Sequence, residues 1–126
     1  MKRKKKVLVV DDEKDILELL SIILEESNIK VLKAQDGLGA LEIARKEKPD
    51  LILLDIMMPE IDGWEVLKML KIDEETREIP VAILSCKKET RDKVVGIQEG
   101  AVDYITKPFD PDELSKRVNE ILAGKR

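Results

Sequence analysis

The chain is 126 residues long, the size of one domain, and its 43% hydrophobic share can fill a core. Charged residues make up 40%, yet 23 Lys and Arg against 27 Asp and Glu leave a net charge of −4, which argues against a nucleic-acid-binding module and against disorder. The lone cysteine, Cys86, excludes an internal disulfide and fits a reducing cytosol, while the absence of histidine removes His-based zinc sites, Ser-His-Asp triads and histidine phosphorylation on this chain.

The start is basic, and residues 1–5 read as a solvated tail. The apolar run Val7 to Val10 is too short for a signal peptide, and no run approaches the ~18 residues of a membrane span. Val7 to Val10 reads instead as a strand stopped by Asp11. Ile16, Leu19, Leu20 and Ile23 recur at helical spacing, predicting a helix over 13–26 that Ser27-Asn28 breaks. Ile29 to Ala34 reads as a strand, and Lys30 and Lys33 make it an exposed or edge one. Gly37 to Lys46 is a second helix with Leu38, Leu41 and Ala44 facing inward.

Leu51-Ile52-Leu53-Leu54 is a continuous apolar run stopped by Asp55, the pattern of a strand buried on both faces of a parallel sheet. Pro59 to Gly63 is turn chemistry, and Trp64, Leu67 and Leu70 share one side of a helix over 64–71. Val81 to Leu84 is a fourth strand, introduced by Pro80 and stopped by Ser85. Glu89 to Glu99 is a fourth helix closed by Gly100, and Val102 to Ile105 a fifth strand. Asp110 caps a last helix that has Pro111 at its first position and Leu114, Val118, Ile121 and Leu122 on its buried side. Strict βα alternation predicts one α/β domain over 1–126, with a parallel sheet, right-handed crossovers and helices on both faces.

In such a sheet every strand C-terminus lies on one edge, where ligands bind. Asp11 and Asp12 follow the first strand, Asp55 the third, Ser85 the fourth and Lys107 the fifth. Any one of these is unremarkable as a solvated loop residue. Three carboxylates together repel and call for a cation among them. An oxygen-only donor set suits Mg²⁺, with Mn²⁺ as the alternative, and leaves open positions for phosphate chemistry. Lys107 and Ser85 supply a positive charge and a hydroxyl for phosphoryl oxygens. Asp55 is the candidate nucleophile, because it closes the most hydrophobic and therefore most central strand.

The segments VLVVDDE at 7–13, LILLDIMMPEIDGWE at 51–65, VAILSC at 81–86 and GAVDYITKPF at 100–109 resemble the receiver domain of two-component response regulators, the CheY-like family. The likeness spans nearly the whole chain and holds the spacing between all four segments. It implies a doubly wound, flavodoxin-like fold with strand order 2-1-3-4-5 and five flanking helices. It implies Asp55 as phosphoacceptor, and a metal held by Asp12 and Asp55 directly, by Asp11 through water and by the backbone carbonyl of Met57. It further implies Lys107 on the phosphoryl group, Ser85 as switch hydroxyl, Tyr104 as the aromatic that turns inward when Ser85 moves, and a cis Lys107–Pro108 peptide.

The same resemblance implies a cytoplasmic signalling protein in a phosphorelay, not an enzyme in the ordinary sense but a phosphoacceptor that assists its own phosphorylation and autodephosphorylation. Its donor would be a sensor histidine kinase or a phosphotransfer protein, since this chain has no histidine. Phosphorylation would change the surface of the fourth helix, fifth strand and fifth helix to control an output protein, with the chain a monomer or a phosphorylation-dependent dimer. Direct nucleic-acid or membrane binding is not expected. A chain ending at Arg126 fits a stand-alone regulator or the receiver part of a longer DNA-binding one.

Simpler roles compete at single positions. Asp11 or Asp12 can cap the first helix, Ser85 can be a turn residue, and Tyr104 an ordinary half-buried strand aromatic. Trp64 is expected to pack the third helix, and Cys86 to be a buried, inert thiol. Met57 and Lys87 fall where the family tunes dephosphorylation. An aspartyl-phosphate hydrolase of the haloacid-dehalogenase type would want a second Asp two positions after the nucleophile, where Met57 stands. A nucleotide- or flavin-binding module would want a Gly-rich cradle where Asp-Asp-Glu stands. Scarce Asn and Gln, two of each, with high charge resemble thermophile composition.

Overall fold

The computed structural model describes residues 3–58, 62–86 and 90–125. Within them run β1 (Lys6–Val10), α1 (Lys14–Glu25), β2 (Lys30–Ala34), α2 (Gly37–Glu47), β3 (Leu51–Asp55), α3 (Gly63–Ile72), β4 (Val81–Ser85), α4 (Thr90–Gln98), β5 (Asp103–Thr106) and α5 (Pro111–Leu122). The strands pair in parallel in the order β2-β1-β3-β4-β5. This is the expected doubly wound α/β sheet, with β2 on an edge and β3 at the centre. Pro59, Glu60 and Ile61 of the predicted turn, and Lys87 and Glu89 beside the predicted start of α4, lie outside the described residues.

Alternating side chains divide the strands between two apolar layers. Val7, Val9, Leu51, Leu53, Ala82 and Leu84 meet Leu17, Leu20 and Leu24 of α1 and Leu114 and Val118 of α5. Leu8, Val10, Ile52, Leu54 and Ile83 meet Ala40, Leu41 and Ala44 of α2 and Val66, Leu67 and Leu70 of α3. All five residues of β3 are buried, so its continuous apolar run is explained by a helical layer on each side. Each fully buried Leu or Ile there contributes about 1.5–3 kcal/mol.

Helix ends follow the local chemistry. The Asp36, Asp62 and Asp110 carboxylates accept from backbone N–H groups at the starts of α2, α3 and α5, Asp110 from two of them. Asn28 and Gly100 take positive φ where α1 and α4 give way to the next connection. Lys48 does so after α2, unannounced by its residue type.

The inward faces of two helices differ from expectation. Leu19 is 42% exposed, and α1 buries Leu17, Leu20, Ile23 and Leu24 with Ile16 half-buried. Its apolar residues support two overlapping stripes, and the direction of the sheet selects one. Leu38 is 65% exposed, because α2 rests on the sheet through Ala40, Leu41 and Ala44, whose small side chains permit close approach. The fifth strand starts one residue later than its apolar pattern, at Asp103, whose carboxylate is held by Arg117 of α5.

Candidate functional site

Three strand ends and one following loop build an acidic cup at the C-terminal edge of the sheet. Asp11 leaves β1 with its N–H on the carbonyl of Ala34, 3.1 Å away, and is fully buried. Its Oδ1 accepts from the Glu13 N–H at 3.0 Å, and its Oδ2 lies 2.7 Å from the Lys107 Nζ. Neither Asp11 nor Asp12 caps α1: Glu13 occupies that position and makes no side-chain cap. Asp12 is exposed. Asp55, the last residue of β3, is 3% exposed, and its Oδ1 accepts from the Met57 N–H at 3.0 Å. Asp55 Oδ2 is 3.6 Å from the Lys107 Nζ.

Asp11, Asp12 and Asp55 each offer a carboxylate oxygen within 4.8 Å of the others. Burial, with the added repulsion of Asp11 and Asp12, pushes the Asp55 carboxyl up to about 6, against the pull of the Met57 N–H and Lys107. Burial disfavours the Lys107 ammonium, but Asp11, Asp55 and Glu13 outweigh it and raise its pKa. Three ionised carboxylates against one ammonium leave a surplus of negative charge on oxygen-only donors. That donor set fits a hard divalent cation.

Lys107 is aimed by backbone pairing: its N–H donates to the carbonyl of Ser85 at 2.8 Å, and its peptide bond to Pro108 is cis. Ser85 closes β4 and is fully buried. Its side chain shares a hydrogen bond with Tyr104, whose ring is only 5% exposed and whose phenol is pushed up by burial. Tyr104 therefore lies inward in this structure, more buried than a half-exposed strand aromatic. Cys86 corrects the expectation of a buried thiol: it is exposed at the rim, where its S–H donates to Met57 Sδ at 3.7 Å. β4 ends at Ser85, so the next side chain leaves the sheet. Trp64 is half-buried against the α3 layer.

Gly63 belongs to this site, although its sequence context marks only a turn. Its N–H donates to the carbonyl of Ile56 at 3.1 Å. A β-carbon there would overlap the Ile56 backbone and lie 2.6 Å from the Asp55 carbonyl oxygen. The start of α3 thus rests directly on the backbone that carries Asp55. A glycine beside an Asp cap is the only sequence signal of this, and a turn leaves the same one.

The model of the response regulator receiver domain matches residues 7–119. The chain belongs to this family. Among curated receiver-containing proteins, it is 50% identical over 118 residues to the alkaline phosphatase synthesis transcriptional regulatory protein PhoP of Bacillus subtilis, covering 94% of this chain and 48% of that one. The chain thus spans about half of that regulator's length. It is 43% identical over 119 residues to the protein PilH of Pseudomonas aeruginosa, covering 94% of this chain and 98% of PilH. Among solved receiver structures, the Francisella response regulator 1452 receiver domain superposes with a TM-score of 0.89 at 39% identity, covering 98% of this chain and 100% of that one. The chemotaxis response regulator CheY4 of Vibrio cholerae gives 0.88 at 31% identity, covering 94% and 99%. This receiver is accordingly a two-component signalling module, and among its described residues no helix is long and apolar enough to cross a membrane.

Proposed function

We propose that the chain is a single cytoplasmic receiver domain over 1–126, with residues 1–5 as a basic tail, and that Asp55 accepts a phosphoryl group from a phosphohistidine on a sensor histidine kinase or phosphotransfer protein. The observation that carries this reading is the gathering of Asp11, Asp12 and Asp55 around one small volume, with the Lys107 ammonium beside Asp55. One Asp55 carboxylate oxygen forms the new P–O bond as the P–N bond of the donor breaks, and the departing imidazole takes up a proton. Mg²⁺, held by Asp11, Asp12, Asp55 and the Met57 carbonyl, would supply charge neutralisation and alignment, which phosphoryl transfer needs more than covalent help. Lys107 neutralises a further phosphoryl oxygen.

The acyl phosphate carries about −1.5 to −2 charge, by analogy with other phosphorylated side chains, in place of the single charge of the carboxylate, and presents three acceptor oxygens. Ser85 is the hydroxyl poised to donate to it, and Tyr104 follows Ser85 through their shared hydrogen bond. This local change biases the α4–β5–α5 surface toward partner binding. A hydrolase reading is disfavoured by Met57, whose half-exposed thioether offers no acid or base where a second carboxylate would stand. Autodephosphorylation by water is the return step.

Incubation with acetyl phosphate and Mg²⁺ is expected to attach one phosphoryl group per chain, reducible by borohydride at Asp55. Asp55→Asn and chelation by EDTA are each expected to abolish it. Labelling that persists in Asp55→Asn would refute the assignment, and many turnovers per chain on a small phosphate ester would favour the hydrolase.

A further inference from the structure

Four of the five helices seat on the sheet through buried Leu, Ile, Val or Ala side chains, whereas no described side chain of α4 is buried in this way. Among its described side chains Val94, Val95 and Ile97 are exposed, and the buried position is Gly96. A glycine inside a helix is normally a liability, and Gly96 is not among the positive-φ glycines, so backbone conformation does not require it. Space does. A β-carbon at Gly96 would lie 2.9 Å from Ile83 Cδ1, 3.2 Å from Tyr104 Cδ2 and 3.7 Å from Trp64 Cη2. The α4 backbone therefore rests on the same ring that hydrogen-bonds Ser85 at the other end.

We propose that Gly96 is a positioning residue for the switch: by leaving room for the inward Tyr104 ring, it makes the seat of α4 and the position of that ring a single packing unit. The inference rests on the reading of Asp55 as acceptor with Ser85 and Tyr104 as its relay, and adds the contact through which that relay reaches α4. A methyl group at residue 96 competes with the ring for one volume. It favours states with the ring withdrawn or the helix lifted, and so opposes the arrangement in which Ser85 and Tyr104 serve a phosphoryl group.

The test compares wild type, Gly96→Ala and the double variant Gly96→Ala with Ile83→Val, each titrated with beryllofluoride and Mg²⁺. Tm and the emission of Trp64, the sole tryptophan, are recorded alongside. Alanine is the better helix former, so an open site predicts a higher Tm for Gly96→Ala. The crowded site predicts a lower Tm, a shifted Trp64 emission and beryllofluoride affinity weakened about fivefold or more, although residue 96 contributes no ligand. Ile83→Val removes the nearest methyl and is expected to restore part of each. A raised Tm, or a lowered Tm with unchanged beryllofluoride affinity, would overturn the coupling. Failure of the wild-type chain to bind beryllofluoride would instead overturn the acceptor reading on which it rests.

Discussion

Asp55 is held at a cost to the fold. Its carboxyl titrates near 6 in the folded chain against 3.8 when solvated. Between those values the folded state binds a proton that the unfolded state does not, so lowering the pH through that window stabilises the native chain. At neutral pH the ionised group is destabilising by roughly 3 kcal/mol at most. Asp55→Asn is therefore expected to raise the urea-unfolding free energy at pH 7.5 by about 2–3 kcal/mol in metal-free buffer, with the gain vanishing near pH 4. An equal gain at both pH values would show that packing rather than charge is responsible. Ser21 offers a second case: its hydroxyl is buried in α1 with no hydrogen-bond partner. Ser21→Ala should stabilise the chain by about 1 kcal/mol, read as a higher denaturation midpoint at unchanged m-value.

At the scale of elements, the connections place the chemistry. β1, β3 and β4 end in step because their pairing registers align Val10 with Leu54 and Asp55 with Leu84. α3 then presses on the exit of β3 at Gly63, where a methyl group has nowhere to go but into the Asp55–Ile56 backbone. Gly63→Ala is expected to destabilise the fold by about 1–3 kcal/mol or more and to weaken Mg²⁺-dependent beryllofluoride binding, because relief requires moving the acceptor strand. Thermal unfolding and titration of the folded variant measure the two effects separately. Wild-type affinity in a destabilised variant would mean that α3, not β3, gives way.

Across the whole molecule, stability and responsiveness are distributed unequally. The central strands are covered on both faces, whereas the described side chains of α4, Val94, Val95 and Ile97 among them, lie largely exposed. Hydrogen exchange under native conditions should therefore release the amides of 93–98 well before those of β1 and β3, the latter only through global unfolding. Protection of α4 equal to that of β3 would contradict this ranking. The opposite ends of the sheet also differ in charge. The cup is acidic, while Arg3 and Lys6 at the start of β1 are matched by Asp50 and Glu47.

The order of strands and helices was legible in the chain because burial on both faces leaves continuous apolar runs and burial on one face leaves a helical period. The candidate residues were legible because a parallel sheet brings strand ends together, whatever their separation in sequence, so Asp11, Asp12, Asp55, Ser85 and Lys107 had to share a rim. Periodicity could not choose between the overlapping stripes of α1 or foresee an outward Leu38, since each helix is rotated by the surface it meets. Nor could it separate Gly63 and Gly96 from ordinary turn or helix glycines, or put the Cys86 thiol outside. Those outcomes depend on distances between segments far apart in sequence, and only packing in three dimensions sets them. The same holds for the titration of Asp55, whose burial is set by the packing around the end of β3.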